Sequence, residues 1–162
     1  MALKSDRSTL QTDISFFMNE AATRGGVAVI STGGSGASMD NGSALVTYAA
    51  APSGTAAMGL LINDMVSIDL TRQHLNQHKD EVQKGGKVTL LSKGWVVTSN
   101  LEGTDPNAGD VAYLAHSGNL SSSNIGGTDS AEKMVVGRFL SDVDEDGYAK
   151  VFIDLPNTNR SV

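Results

Sequence analysis

The feature that most constrains the fold of this chain is the shortness of its apolar runs. Runs such as GVAVIS (26–31), SALVTYAA (43–50) and VAYLA (111–115) are closely followed by turn-forming Gly, Ser, Asn or Pro residues. Short apolar runs separated by turn signals are typical of strands in an all-β domain. The 162 residues are 40% apolar, which is enough for a core, so the sequence predicts one mainly β domain, or one such domain with an arm.

The clearest strand pair lies near the end of the chain. A D-x-D-x-D-G pattern at 142–147 matches the start of an EF-hand calcium loop, but the twelfth position is Ile153 instead of a carboxylate. Residues 148–155 alternate between polar and apolar, and the preceding run MVVGRFLS (134–141) is β-branched and aromatic. The pattern therefore predicts a β-hairpin with Asp146-Gly147 in its turn.

A second β segment covers residues 85–101, GGKVTLLSKGWVVTSNL. Gly94 interrupts it, either as a bulge in one long strand or as the turn residue of a hairpin, and the sequence does not decide between the two. We expect Trp95 and Tyr113 to be core or half-buried sheet residues and not ligand platforms.

Residues 9–24, TLQTDISFFMNEAATR, differ from the rest because their apolar residues recur at helical spacing. The spacing predicts a helix ending at Gly25-Gly26, which either packs on its own domain or docks on another chain. The chain is accordingly divided into an N-terminal arm (1–25), which is helical or extended, and an all-β domain (26–162) with a polar insertion around 70–84.

Charge and composition exclude several classes of function. The chain has 12 Lys and Arg against 18 Asp and Glu, for a net charge of −6, which argues against nucleic acid as a partner. It has no cysteine, so disulfides and thiolate metal sites are excluded. The N-terminus has no continuous apolar region and no run reaches the length of a membrane span, so we expect neither a signal peptide nor a membrane partner.

The catalytic and nucleotide-binding motifs that the sequence partly matches are all incomplete. The Gly-rich stretch TGGSGASMDNGS (32–43) lacks the third Gly of a dinucleotide fingerprint and the Gly-Lys-Ser/Thr of a phosphate loop, and Ser35 lacks the last Gly of a nucleophile elbow. His74 and His78 are four residues apart, but Leu75 stands where a zinc protease has its Glu. We predict a flexible connection for the first stretch, a polar loop or short surface helix for the second, and no enzyme activity, cofactor or metal.

Three segments together carry a resemblance to a known class of proteins: VTLLSKGWVVTSNL (88–101), AGDVAYLAHSGNLS (108–121) and VGRFLSDVDEDGYAKVFIDLP (136–156). Their succession resembles the small capsid decoration, or cement, proteins of tailed bacteriophages. The N-terminal LQTDISFFMNEAATRGGVAV (10–29) is similar to the start of such virion proteins.

The resemblance implies a small β-barrel or β-sandwich that binds the outer surface of the phage head after synthesis in the host cytoplasm. It implies a homo-oligomer, often a trimer, that bridges neighbouring major capsid subunits and stabilises the capsid. Within the arm we expect Ile14, Phe16, Phe17 and Met18 to contact a partner, with Phe16 lying off the main apolar face of the predicted helix. The alternatives are a head-fibre or receptor- or glycan-binding module, and a small β-barrel enzyme with a dispersed site.

Overall fold

The computed structural model describes residues 2–32, 44–52, 54–64, 68–69, 74–75, 81–103, 105–124 and 133–155. Within these ranges the predicted mainly β fold is confirmed, and the only helical element is a 3-10 turn at His116–Gly118. The strands are β1 (Leu3–Asp13), β2 (Phe17–Met18), β3 (Ala22–Thr23), β4 (Val27–Thr32), β5 (Leu45–Thr47), β6 (Ala57–Asp64), β7 (Ile68–Asp69), β8 (His74–Leu75), β9 (Glu81–Val82), β10 (Val88–Thr98), β11 (Val111–Leu114), β12 (Leu120–Ser121), β13 (Val135–Phe139) and β14 (Ala149–Asp154).

Ten of these strands form one sheet, in which β10 pairs with three others. The order is β12-β11-β13-β14-β10-β6-β4-β5-β2, with β1 paired to β10 off this path. β14 pairs with residues 93–98 of β10, β6 pairs with residues 88–91, and β1 pairs along nearly the whole strand. The order is open, and no closed barrel is found among the described residues.

Alternation along these strands separates a core face from a solvent face. Val96 of β10, Val151 of β14 and Phe139 of β13 are fully buried and lie opposite one another across the strands. They belong to the larger of two apolar clusters, while the smaller cluster contains Phe16 and Met18. Because the side chains of a strand point alternately to opposite faces, the residues between these buried ones must face the other side of the sheet.

The structure decides between the two readings of Gly94. β10 is one continuous strand of 11 residues, and Gly94 lies within it at a φ of +146°. A Cβ atom at this position would overlap the backbone carbonyl oxygen of Ser8 in β1, far inside the 3.0 Å that real Cβ atoms keep. Gly is therefore required here because β1 approaches the β10 backbone so closely.

The predicted closing hairpin is confirmed. β13 and β14 pair antiparallel, from Gly137 opposite Ile153 to Phe139 opposite Val151. Gly147 lies in the connecting turn at a φ of +82°. The carboxylate Oδ1 of Asp144 accepts hydrogen bonds from the backbone N–H groups of Asp146 (3.0 Å) and Tyr148 (2.7 Å), so this acid organises the loop.

The predicted helix over residues 9–24 is wrong. Residues 3–13 form the extended strand β1, and Phe17–Met18 form the short strand β2, which pairs parallel to β5. The backbone N–H of Met18 bonds to the carbonyl oxygen of Gly86 (2.9 Å) and that of Asn19 to Val46 (2.9 Å). These long-range backbone partners outweigh the weak helical preference of the sequence, since propensity is routinely overridden by tertiary contacts.

Several predictions fall on residues outside the described ranges. They include the connection over 33–43, most of the polar insertion around 70–84 with His78, and the tail after Leu155. Within the described part of the chain, no helix is long and apolar enough to cross a membrane.

Candidate functional site

The four arm residues predicted to contact a partner do not form one exposed patch. Phe16 is 7% exposed and Met18 is fully buried, and both pack in the smaller apolar cluster. Ile14 and Phe17 are half-buried, and the Lys87 Nζ atom lies 5.2 Å from the centre of the Phe17 ring. Phe16 is therefore a core residue of its own domain, whereas Ile14 and Phe17 retain surface that a neighbouring chain could contact.

A larger candidate surface lies on the solvent side of the sheet, and we call it the outer sheet face. Its centre is the pair Trp95 and Phe152, which stand directly opposite each other on β10 and β14. Arg138 of β13 extends the row on one side, opposite Phe152, and Ser8 of β1 extends it on the other, opposite Trp95. Neighbouring positions on the same face add Val97 opposite Lys150 and Lys93 opposite Asp154.

The centre of this face is apolar and partly covered by a cation. Trp95, Val97 and Phe152 are all half-buried. The Lys150 Nζ atom lies 3.8 Å from the centre of the Trp95 ring, which is a cation–π contact. The half-buried positions expected for Trp95 and Tyr113 are thus confirmed.

The rim of the outer sheet face carries more positive than negative charge. Lys93, Arg138 and Lys150 are cations, and Asp154 is the one acid among its members; Lys93 Nζ lies 3.7 Å from the Asp154 carboxylate. One N–H of the Arg138 guanidinium donates to the carbonyl oxygen of Gly109 (2.9 Å), which holds this exposed side chain against the β11 end of the sheet. Of these residues, the aromatic rings and Arg138 belong to the types that are enriched in protein interfaces.

The acidic loop between β13 and β14 borders the same face. Lys4 Nζ lies 3.0 Å from the Asp144 carboxylate and 4.1 Å from the centre of the Tyr148 ring. The hydrogen bond from the Tyr148 N–H, followed by that from Lys4, lowers the pKa of Asp144 below its usual value. The carboxylate therefore stays ionised in the folded loop and ties β1 to the loop.

A polar cleft of about 380 Å³ lies elsewhere, around Tyr48. The Tyr48 hydroxyl donates to the carbonyl oxygen of Thr23 and accepts from the Gly26 N–H (3.2 Å), and burial raises the pKa of this phenol. Its ring packs so closely on Gly118 that a Cβ atom there would lie 2.7 Å from the ring. The hydroxyl thus both donates and accepts a hydrogen bond inside the protein, and Tyr48 has a structural role in this cleft.

Ionisable side chains elsewhere are also engaged in local structure. His116 Nδ1 lies 2.8 Å from one carboxylate oxygen of Glu102, and the backbone N–H of His116 donates to the other (2.9 Å). Among the described residues, no three His, Asp or Glu side chains are grouped as ligands for a metal ion. Among the described residues, the outer sheet face is a candidate binding surface because it groups Trp95 and Phe152 with Arg138.

Sequence reasoning missed this face, although it predicted β structure for both segments and left only the role of Gly94 undecided. The alternation of Tyr148, Lys150 and Phe152, and of Trp95 and Val97, is visible in the sequence. The register that places Phe152 opposite Trp95 depends on two segments far apart in the sequence. The alternation within each strand does not predict it.

Comparison with known proteins identifies the family. The model of a phage cement protein family, described as "Structural cement protein (E217 gp24/Pam3 gp6)", matches residues 3–154, from the first residue of β1 to the last residue of β14. No curated protein matches the chain significantly. The match confirms the predicted resemblance, and because it spans nearly all of the chain, the protein belongs to the phage structural cement proteins, which are virion components bound to the capsid exterior.

Proposed function

We propose that this protein stabilises the phage head by binding its outer surface and bridging neighbouring major capsid subunits. The observation that carries the proposal is the family match over residues 3–154, which contains every strand of the sheet. A role in the structure of the virion also agrees with the hydrogen bonds near the Tyr48 cleft. There, Tyr48 and Glu102 bond to backbone groups of the protein itself.

Physical considerations favour an external clamp. Packaged DNA presses outward on the head, so a protein that adds contact area across subunit boundaries opposes their separation. A specific interface buries about 1,200–2,000 Å² in total. Several weak contacts are sufficient if the protein is oligomeric, because linked sites bind far more tightly than single ones. We accordingly propose a homo-oligomer, with a trimer as the specific expectation.

The N-terminal segment is the second part of the proposal. We infer that Ile14 and Phe17, which keep accessible surface, contact a neighbouring chain, while Phe16 and Met18 support them from the core. Phe17→Ser tests this contact, because the Phe17 side chain is half-buried and its loss should disturb the core less than the loss of a buried ring. Phe16→Ser removes a core ring and would confuse loss of binding with loss of folding.

The test is co-sedimentation of the purified protein with expanded heads that have been stripped of their external proteins. We expect saturable binding at a stoichiometry that matches one class of symmetry-related sites, and weaker binding for Phe17→Ser than for wild type. A folded protein that does not bind heads would refute the proposal and favour a fibre or glycan-binding role, which a glycan array would then examine.

A further inference from the structure

We propose that the outer sheet face is the surface that docks on the head, and that its partner is an acidic patch with an apolar centre on the outside of the head. The proposal rests on the proposed function, since it takes the head as the binding partner. It adds which face of the protein is bound and the chemistry of the surface that binds it.

The first argument is the apolar centre. A solvated face of an antiparallel sheet is normally polar, with the apolar residues on the core side only. Here Trp95, Phe152 and Val97 lie on the side opposite the core, while their neighbours Val96 and Val151 fill the core. Tryptophan and arginine are both enriched in interface hot spots, and this face has Trp95 at its centre and Arg138 two strands away.

The second argument concerns Lys150. Its ammonium group lies over the Trp95 ring at 3.8 Å, and no carboxylate of the described residues pairs with it. Cation–π contacts strengthen when water is removed, so docking would favour this arrangement instead of breaking it. The ammonium group keeps hydrogen-bond donors for a carboxylate of the partner, since it carries three N–H groups.

The third argument is the sign of the charge. The whole chain carries −6, yet the outer sheet face has three cations, Lys93, Arg138 and Lys150, against the single acid Asp154. Beside the face, Lys4 is paired with the Asp144 carboxylate at 3.0 Å. A cationic face on an acidic protein is complementary to an acidic partner surface.

The acidic loop between β13 and β14 then sets the orientation of docking. Its acids Asp142, Asp144, Glu145 and Asp146 are all exposed, and they lie at one end of the face. Like charges repel, so an acidic partner patch favours contact with Arg138 and Lys150 of the face and disfavours contact with this loop. The separation of charge gives the protein one preferred way to approach the head.

The experiment measures the affinity of stripped, expanded heads for wild type and for charge-reversal variants. Lys150→Glu and Arg138→Glu reverse single charges on the face, and Lys84→Glu makes the same change at an exposed residue in the turn before β10. We expect each face variant to bind roughly ten-fold more weakly and the control to bind within about two-fold of wild type. Raising the salt concentration should weaken wild-type binding, and each face variant should reduce that salt dependence, because ions screen exposed charges.

The outcomes separate this inference from the proposed function. If wild type does not bind heads, both are overturned. If wild type binds and both face variants bind as tightly as wild type, only the docking face is overturned. Wild-type binding that does not change or becomes tighter with salt would overturn the acidic partner. Far-UV circular dichroism and urea unfolding of each variant verify that a change in affinity is not a loss of folding.

Discussion

Gly94→Ala is the substitution that most directly tests how β1 is held on the sheet. The added Cβ atom would overlap the backbone carbonyl oxygen of Ser8, and a residue with a side chain rarely adopts the φ of +146° found here. Backbone atoms cannot rotate away as a flexible side chain does. Relief therefore requires β1 to move away from β10, or the φ of residue 94 to change.

The expected cost has two parts that can be measured separately. A side chain at an unfavourable φ costs about 1–3 kcal/mol, and forcing an extra methyl group into a packed site costs about 1–3 kcal/mol more. Gly109→Ala supplies the first part alone, because Gly109 has a φ of +97° and nothing within 4 Å of the added atom. We expect Gly94→Ala to lower the free energy of unfolding by about 1–3 kcal/mol more than Gly109→Ala.

The assay is urea unfolding followed by two probes. The chain has one tryptophan, Trp95, which adjoins Gly94, so fluorescence reports on β10 while circular dichroism reports on the whole fold. A typical domain is stable by about 5–15 kcal/mol, so Gly94→Ala should remain folded without denaturant unless the stability of wild type lies at the lower end of that range. Hydrogen exchange of the β1 amides should be faster in Gly94→Ala than in Gly109→Ala, because β1 is the strand that must move.

One result would refute this reasoning. Equal unfolding free energies for the two variants, together with unchanged exchange of the β1 amides, would mean that the overlap at Ser8 is relieved without disturbing β1. The close approach of β1 to β10 would then contribute nothing specific to stability.

Two further predictions concern a buried hydroxyl and an exposed carboxylate. Thr98→Val should cost about 1–3 kcal/mol in urea unfolding, because the fully buried Thr98 hydroxyl lies 2.9 Å from the carbonyl oxygen of Gly25 and accepts from the N–H of Asn100 at 3.2 Å; an unchanged midpoint would contradict this. Asp144 has a pKa below its usual 3.8, so its contribution to stability is fully present above pH 3.8 and is lost as the pH falls through the lowered pKa. Asp144→Asn should therefore lose less stability than wild type when the pH is lowered below 3.8, and parallel pH profiles for the two proteins would count against it.

Much of the fold was predictable because it is encoded locally. The hairpin of β13 and β14 follows from alternation and from the Asp146-Gly147 turn, both of which are properties of neighbouring residues. The helix prediction over 9–24 failed for the opposite reason, since the backbone partners of Met18 and Asn19 come from Gly86 and Val46. A short amphipathic pattern does not reveal whether distant strands will offer it hydrogen bonds.

The residues of the docking face alternate with the core residues along each strand. Val96 and Val151 are fully buried and hold the sheet to its core, while Trp95 and Phe152 beside them lie on the solvent side. Because a strand alternates its faces, the same segment determines stability with one set of side chains and recognition with the other. Substitutions of Lys150 and Arg138 on the outer sheet face should therefore change binding and leave folding intact. A substitution of the buried Phe16 would affect folding as well as binding. A cement protein gains from such a division, since its binding surface can match a particular head while the core that supports it stays the same.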